Sequence, residues 1–445
     1  MRVCVVGSGY VGLVTGVGLA ELGHDVTCVD IDARKVRAIN EGRPPISEAG
    51  LDELLERHVG AGFRATTDLA GAVAASRVTF VCVGTPSRPD GIIDTSFVEE
   101  AVAQVGAAVS AADRGHCVIV KSTVVPGTTD GIVTDVLTRA SALQAGVDFG
   151  VGANPEFLTE GQAVEDFLRP DRIVFGGDEL AVAALRELYV GFVGVPVVAT
   201  NARTAEMIKY TSNAMLATAI SFANEIANLG SAIGRIDSVE VMGGVHLSRY
   251  LTGPDTGTRT IRAGLAAFFE AGCGYGGSCL PKHVAALAAR GREAGSPMRV
   301  LEAVAAVNAD QPARLVESLR LELGELRGRR VAVLGLAFKP DTDDVRCSPA
   351  FPVLELLLAA GADVVAHDPV VGAEVLEGLP GAGVTHVGEL TAAVKGAAAV
   401  VIVTRWAEYG ALPEILAELD TPPVVVDGRR MLEPSSVARY TGIGR

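Results

Sequence analysis

A β-rich run that passes straight into a glycine turn constrains this chain more than any other feature. Residues 2–6 read Arg-Val-Cys-Val-Val and predict a short strand, and Gly7-Ser8-Gly9-Tyr10-Val11-Gly12 follows at once. Small and apolar residues then run to Leu22, and Gly23 is a helix stop. His24–Val29 predicts a second strand, which ends in Asp30. Strand, glycine turn, helix, strand and acid form a parallel crossover unit. Gly7, Gly9 and Gly12 let a pyrophosphate approach the helix N-terminus, where backbone N–H groups and the helix dipole favour anions. Asp30 stands where a carboxylate accepts both ribose hydroxyls and repels a 2′-phosphate, so the cofactor expected is NAD rather than NADP.

Alternating strand and helix patterns continue. Val78–Val83 ends at Gly84-Thr85-Pro86, 117–121 at Ser122-Thr123, and Phe149–Ala153 at Asn154-Pro155-Glu156. In a doubly wound parallel sheet these carboxyl ends line one crevice, and ligands bind there. Residues 200–233 predict one long helix without proline, suited to bridging domains or forming a dimer core. On it Lys209 and Asn213 are four apart and share a face; a helical lysine by itself reads as a solvated surface charge. From Arg330 a second strand-turn-helix system begins, with further strands near 364–369, 399–403 and 424–427. Its turn, Gly335-Leu336-Ala337-Phe338-Lys339, lacks the GxGxxG pattern, so a mononucleotide fits there better than a second dinucleotide. The fold class expected is α/β, with two Rossmann-like doubly wound domains joined by a long central helix. The divisions expected are 1–199 for NAD, 200–315 for a central helical region that holds the dimer-forming helix and the glycine loop of Cys279, and 316–445 for a mononucleotide-type domain.

Charge narrows the partners. Lys+Arg number 38 against 53 Asp+Glu, a net charge of −15, which repels a phosphate backbone and argues against nucleic-acid binding. The seven cysteines are odd in number, scattered and free of CxxC spacing, as in a reducing cytoplasm. The histidines show no metal-ligand spacing, so no metal is expected. No apolar run approaches the ~18 residues of a membrane helix, so no membrane association is expected either.

Cys279 stands apart from the other thiols. It follows Gly276-Gly277-Ser278 and precedes Leu280-Pro281-Lys282. Glycines let a substrate come close to the backbone, while a helix start and a lysine favour thiolate. Beside an NAD site, such a thiol suggests attack on an aldehyde, hydride loss to a thioester, and hydrolysis. An inert buried cysteine is the plainer alternative.

Eight ordered motifs spread over nearly the whole chain carry a resemblance. They are GSGYVGL at 7–13, GTP at 84–86, STVVPGT at 122–128, NPEFLTEG at 154–161, EMIKYTSNAMLA at 206–217, GYGGSCLPK at 274–282, FKPDTDDVR at 338–346 and DGR at 427–429. In these the chain resembles the UDP-glucose/GDP-mannose dehydrogenase family, which oxidises the C6 alcohol of a nucleotide sugar to a carboxylate with two NAD. The resemblance implies Cys279 as nucleophile, Lys209 and Asn213 as stabilisers of the oxyanion, Glu156 as the base or positioner of the hydrolytic water, and Thr123 and Glu160 beside water and cofactor. It implies NAD contacts from Gly7, Gly9, Tyr10, Val11, Gly12, Asp30, Lys35, Thr85, Lys282 and Arg346. It implies substrate contacts from Glu156, Phe157, Leu158, Tyr275 and Gly276, with Lys339 and Arg429 on the nucleotide. A homodimer is implied too, with Arg249 in the family's inter-subunit role.

Two departures stand out. The family usually has Pro-Lys-Asp after the nucleophile; this chain has Pro281-Lys282-His283. The loop before Cys279 also differs, with Ser248-Arg249-Tyr250-Leu251 and Ala271-Gly272-Cys273. UDP-glucose is the leading substrate, with dTDP-glucose, GDP-mannose and a UDP-amino-sugar open. A two-electron β-hydroxyacid dehydrogenase and a catalytically weakened nucleotide-sugar binder are the other readings.

Overall fold

The computed structural model describes residues 1–109, 115–248, 251–254, 260–262, 264–377 and 383–445. The chain divides into two compact units, Met1–Ser212 and Asn213–Arg445.

The first unit is built on an eight-stranded sheet. Its strands are β1 (Arg2–Val6), β2 (Asp25–Val29), β3 (Phe63–Thr66), β4 (Val78–Val81), β5 (His116–Val120), β6 (Phe149–Ala153), β7 (Ile173–Gly177) and β8 (Val197–Thr200). They lie in the order β3-β2-β1-β4-β5-β6-β7-β8. The first six positions give the doubly wound dinucleotide-binding order. β4, β5 and β6 are buried along their whole length, as expected of a sheet covered on both faces by helices. The sheet is not wholly parallel: β6 and β7 run antiparallel, and β7 pairs parallel with β8.

The helix α1 (Tyr10–Glu21) leaves the first glycine turn, and α2 (Ala163–Leu168) follows the segment after β6. The long helix is α3 (Ala202–Ile233), 32 residues or about 48 Å. Alanines make one side of it close-packed: Ala205, Ala217, Ala223 and Ala227 are fully buried. Met215, Phe222 and Leu229, seven residues apart, stay exposed.

In the second unit, β9 (Thr252–Pro254) and β10 (Thr260–Arg262) form an antiparallel pair. Helices α4 (Leu280–Glu293) and α5 (Arg299–Leu323) pack on each other. A parallel six-stranded sheet follows: β11 (Arg330–Leu334), β12 (Asp363–His367), β13 (Val384–His386), β14 (Ala399–Ile402), β15 (Val424–Asp427) and β16 (Tyr440–Gly442). Its order, β13-β12-β11-β14-β15-β16, repeats the doubly wound pattern.

The two sheets treat their acids differently. Asp368, just past β12, is the counterpart of Asp30. Its buried carboxylate accepts the N–H groups of Leu336 and Ala337 at 2.7 and 3.0 Å, those of Val370 and Val371 at 3.0 Å each, and the indole N–H of Trp406 at 3.1 Å. Five donors saturate it, so no lone pair faces a ribose. After β11 the chain stays without helix until α6 (Ala350–Ala359), so no helix N-terminus follows the turn directly. The absence of a second dinucleotide signature thus has a structural counterpart.

Candidate active site

In the first unit, the Gly7 N–H donates to Val29 O at 2.8 Å and closes the turn between β1 and β2. A Cβ on Gly12 would stand 1.9 Å from the Gly7 carbonyl oxygen, so the turn admits only glycine there. Gly9 caps α1 without a side-chain hydrogen bond. The first N–H groups of α1 therefore suit a phosphate oxygen rather than a cap. Asp30 accepts the Ser8 N–H and hydroxyl at 2.9 and 2.5 Å and the Asp32 N–H at 2.9 Å. Burial pushes its carboxyl up, but these donors and the charge of Lys35 outweigh it and hold the group below the usual range. Lys35 itself is exposed and acts through its charge. A turn that a Cβ would block and an ionised carboxylate at the next strand end fit NAD.

The segment after β6 holds a buried ion pair. Lys209 Nζ lies 2.9 Å from Glu156 Oε1, with both side chains under a tenth exposed. Burial raises the Glu156 carboxyl, but Lys209, the Leu158 N–H at 2.6 Å and Lys121 outweigh it and hold it below its ordinary value. The Lys209 ammonium also stands 5.3 Å from the Phe157 ring, whose face is covered by Arg172 at 4.1 Å. The surface-lysine reading is thereby corrected: Lys209 is 3% exposed and ion-paired. A cavity of about 10 Å³ is lined by Ser122, Thr123, Pro155, Glu206 and Lys209, roughly the space of one water. Thr85 donates its hydroxyl to Thr123 O at 3.0 Å, which joins the ends of β4 and β5.

Three neighbours escaped sequence reading. Lys121 is buried, donates to Asn154 Oδ1 at 3.1 Å, and is pushed down to about 8 by burial. Glu206, one turn before Lys209, accepts the Gly127 and Thr129 N–H groups at 2.7 and 2.9 Å and ties α3 to the STVVPGT loop. Burial raises Glu206 to about 7. Glu48 accepts the Tyr10 hydroxyl and the Gly161 and Ala163 N–H groups, the latter two at 2.8 Å. It joins the start of α1 to the loop carrying Leu158 and Glu160. Glu206 lay inside a quoted motif and Lys121 directly before one. Glu48 carried no local signal, since its partners are 38, 113 and 115 residues away.

Of the seven cysteines five are buried, and only Cys279 and Cys347, both in the second unit, are exposed. Burial raises the thiols of Cys4 and Cys82 to about 12 and that of Cys117 to about 11, which makes them inert. Cys279 is the N-cap of α4, and its Sγ lies 3.5 Å from the Ser278 hydroxyl. Lys282 lies in the first turn of the same helix.

The loop before Cys279 is seated on the FKPDTDDVR segment. The Gly277 N–H donates to Arg346 O at 2.9 Å, and a Cβ on Gly276 would meet the Cys347 carbonyl oxygen at 2.3 Å. Tyr275 is held by Asn308, which accepts its N–H at 2.8 Å and donates to its carbonyl at 3.1 Å. Arg429 donates to Val403 O at 2.6 Å and to Gly274 O at 3.0 Å, so its guanidinium braces this loop. The Arg346 side chain pairs with Asp344, and Lys339 is half-buried beside Phe338. Asn213 meets His283, with Nδ2 to Nδ1 at 2.6 Å. A cavity of about 400 Å³ is lined among others by Met242, Phe269, Arg405 and Arg430; Arg429 is not in its lining. Arg249 lies outside the described residues.

Three descriptions from the UDP-glucose/GDP-mannose dehydrogenase family match this chain: the NAD binding domain over residues 1–193, the central domain over 203–310 and the UDP binding domain over 332–434. A UDP-glucose 6-dehydrogenase of Haloferax volcanii is 42% identical over 439 residues, covering 97% of each chain. One from Pseudomonas aeruginosa is 40% identical, covering 100% of this chain and 98% of its own. Among solved structures, a UDP-glucose dehydrogenase of Pyrobaculum islandicum superposes with a TM-score of 0.88 at 41% identity, over 99% of this chain and 97% of that one. A UDP-D-ManNAc dehydrogenase of Pyrococcus horikoshii gives 0.84 at 30%, over 100% and 99%.

Proposed function

Because the chain belongs to the UDP-glucose/GDP-mannose dehydrogenase family and is an NAD-dependent nucleotide-sugar dehydrogenase, we propose that it oxidises the C6 alcohol of UDP-glucose to UDP-glucuronate. The relatives above 40% identity carry that name, and they support UDP-glucose over the amino sugars of the more distant neighbour. The observation that carries the chemistry is the exposure of the Cys279 thiol at a helix N-cap, on a loop whose glycines bring backbone close to any ligand.

NAD, when bound, supplies the hydride acceptor for two successive oxidations at one carbon. Cys279 sulfur bonds the C6 carbon at the aldehyde level as a thiohemiacetal. Loss of a hydride from it leaves a thioester, which water opens to the carboxylate and the returned thiol. Glu156 is ionised and fixed by Lys209 and the Leu158 N–H, the state a base needs to orient that water. Thr123 lines the water-sized cavity beside it. Lys209 supplies a cation, and Asn213 an amide donor, for charge on the sugar oxygen. Asp30, Gly7, Gly9, Tyr10, Val11, Gly12, Thr85 and Glu160 serve the cofactor, and Lys282 and Arg346 assist. Phe157, Leu158, Tyr275, Gly276, Lys339 and Arg429 serve the sugar nucleotide. The three functional segments remain 1–199, 200–315 and 316–445. The exposed Met215, Phe222 and Leu229 at heptad spacing support a homodimer through α3.

The test is a panel of UDP-glucose, dTDP-glucose, GDP-mannose and UDP-amino-sugars, with NADH yield and product mass. Two NADH per UDP-glucuronate support the proposal. One NADH per substrate points to the β-hydroxyacid dehydrogenase chemistry, and tight binding with no NADH points to a binder.

A further inference from the structure

We propose that His283 is a positioning residue, one whose ring nitrogen holds the Asn213 amide in a single orientation for the oxidation. The inference rests on the function proposed above. His283 lies one turn into α4 from the Cys279 cap, and its N–H donates to Cys279 O at 2.9 Å. A helical Cβ leans toward the N-terminus, so the imidazole is directed back over the turn that carries the thiol. The side chain is 2% exposed, and its Nδ1 stands 2.6 Å from Asn213 Nδ2.

The chemistry of the contact is one-way. An amide nitrogen has only protons to offer, so Nδ1 accepts and the neutral ring carries its proton on Nε2. One Asn213 N–H is thus committed to His283. Because the amide is planar, fixing that N–H fixes the direction of the second N–H and of Oδ1. A donor for an oxyanion works by being oriented before charge develops, and a rotating amide loses that advantage. His283 therefore acts through Asn213, not on the sugar.

The experiment uses the full-length protein, UDP-glucose and NAD. His283→Leu keeps the volume and removes the acceptor. Its kcat should fall roughly tenfold to a hundredfold, while KM for UDP-glucose and calorimetric UDP affinity stay near wild type. His283→Asn returns an acceptor oxygen close to Nδ1 and should recover most of the lost kcat. In an Asn213→Ala background, His283→Leu should cost almost nothing more, because the two residues act as one unit. A purely structural role would lower UDP affinity along with kcat and would not be rescued by Asn. Wild-type kcat in His283→Leu overturns the proposal, as do additive losses or an Asn variant as slow as Leu. A second readout needs no turnover. The 15N shifts of the His283 ring, assigned by difference from His283→Asn, should show protonated Nε2 and bare Nδ1. A protonated Nδ1 overturns the proposal even if UDP-glucose proves the wrong sugar.

Discussion

Lys209 Nζ and Glu156 Oε1 form a 2.9 Å ion pair closed off from solvent, so each charge depends on the other. Removing one partner of such a pair strands the other in a poor solvent. Lys209→Met should destabilise the protein by about 3 kcal/mol and abolish NADH formation. Combining it with Glu156→Leu should recover most of that stability and none of the activity. Urea unfolding and a turnover assay read the two effects separately. A single variant as stable as wild type would show that Lys121 alone is enough to stabilise Glu156.

The same pair sets an acid limit. The Glu156 carboxyl is held below its ordinary value, so its contribution is complete above the unfolded-state value and lost as pH falls through the lowered one. Glu206 behaves oppositely. Burial raises it from 4.5 to about 7, so the native state binds more protons than the unfolded chain across that window. Stability from this group therefore falls as pH rises from about 4.5 to about 7. Glu206→Gln should flatten that slope in urea titrations at pH 5, 6, 7 and 8. An unchanged slope would remove Glu206 as its source.

Cys279→Ser should lower uronate formation by at least about a thousandfold, with calorimetric UDP-glucose binding retained. Mass spectrometry of active wild type, quenched in acid during turnover, should find the sugar attached at position 279. Full acid production by the serine variant contradicts covalent catalysis.

Asp30→Ala removes the acceptor that Ser8 and Asp32 hold in place. NAD affinity should weaken about tenfold, and discrimination against NADP should narrow, because the repelling carboxylate is gone. Equal NAD affinity in the variant would place ribose recognition elsewhere.

The first βαβ unit was legible because its signals are local. Strand, glycines, helix stop and acid all fall within thirty residues, and the structure places each where expected. The last strands of the first sheet were not read. β8 is four residues long, exposed or half-buried, and begins just after Pro196, so it lacks both a buried run and a clear period. The reversal of β6 against β7 has no residue signature at all. Four of the second sheet's six strands were legible for the same reason as the first, while β13 and β16, three residues each, are too short to show a buried run and were not read. Its helix was not, because fifteen residues separate β11 from α6. The structure brings the motif residues Glu156, Thr123 and Lys209 together, while Glu48 was missed because it gains its meaning only from partners remote in sequence. His283 stood out as an oddity, but its contact with Asn213 joins residues seventy apart.

Asp368 gives the C-terminal sheet a distinct engineering character. Grafting a GxGxxG loop after β11 would copy the outline of a coenzyme platform but not its selectivity. The carboxylate that should greet an adenosine ribose would still face inward, knitting its own loop together. Any such redesign must first release that acid, and the turns it now holds would need a different clasp.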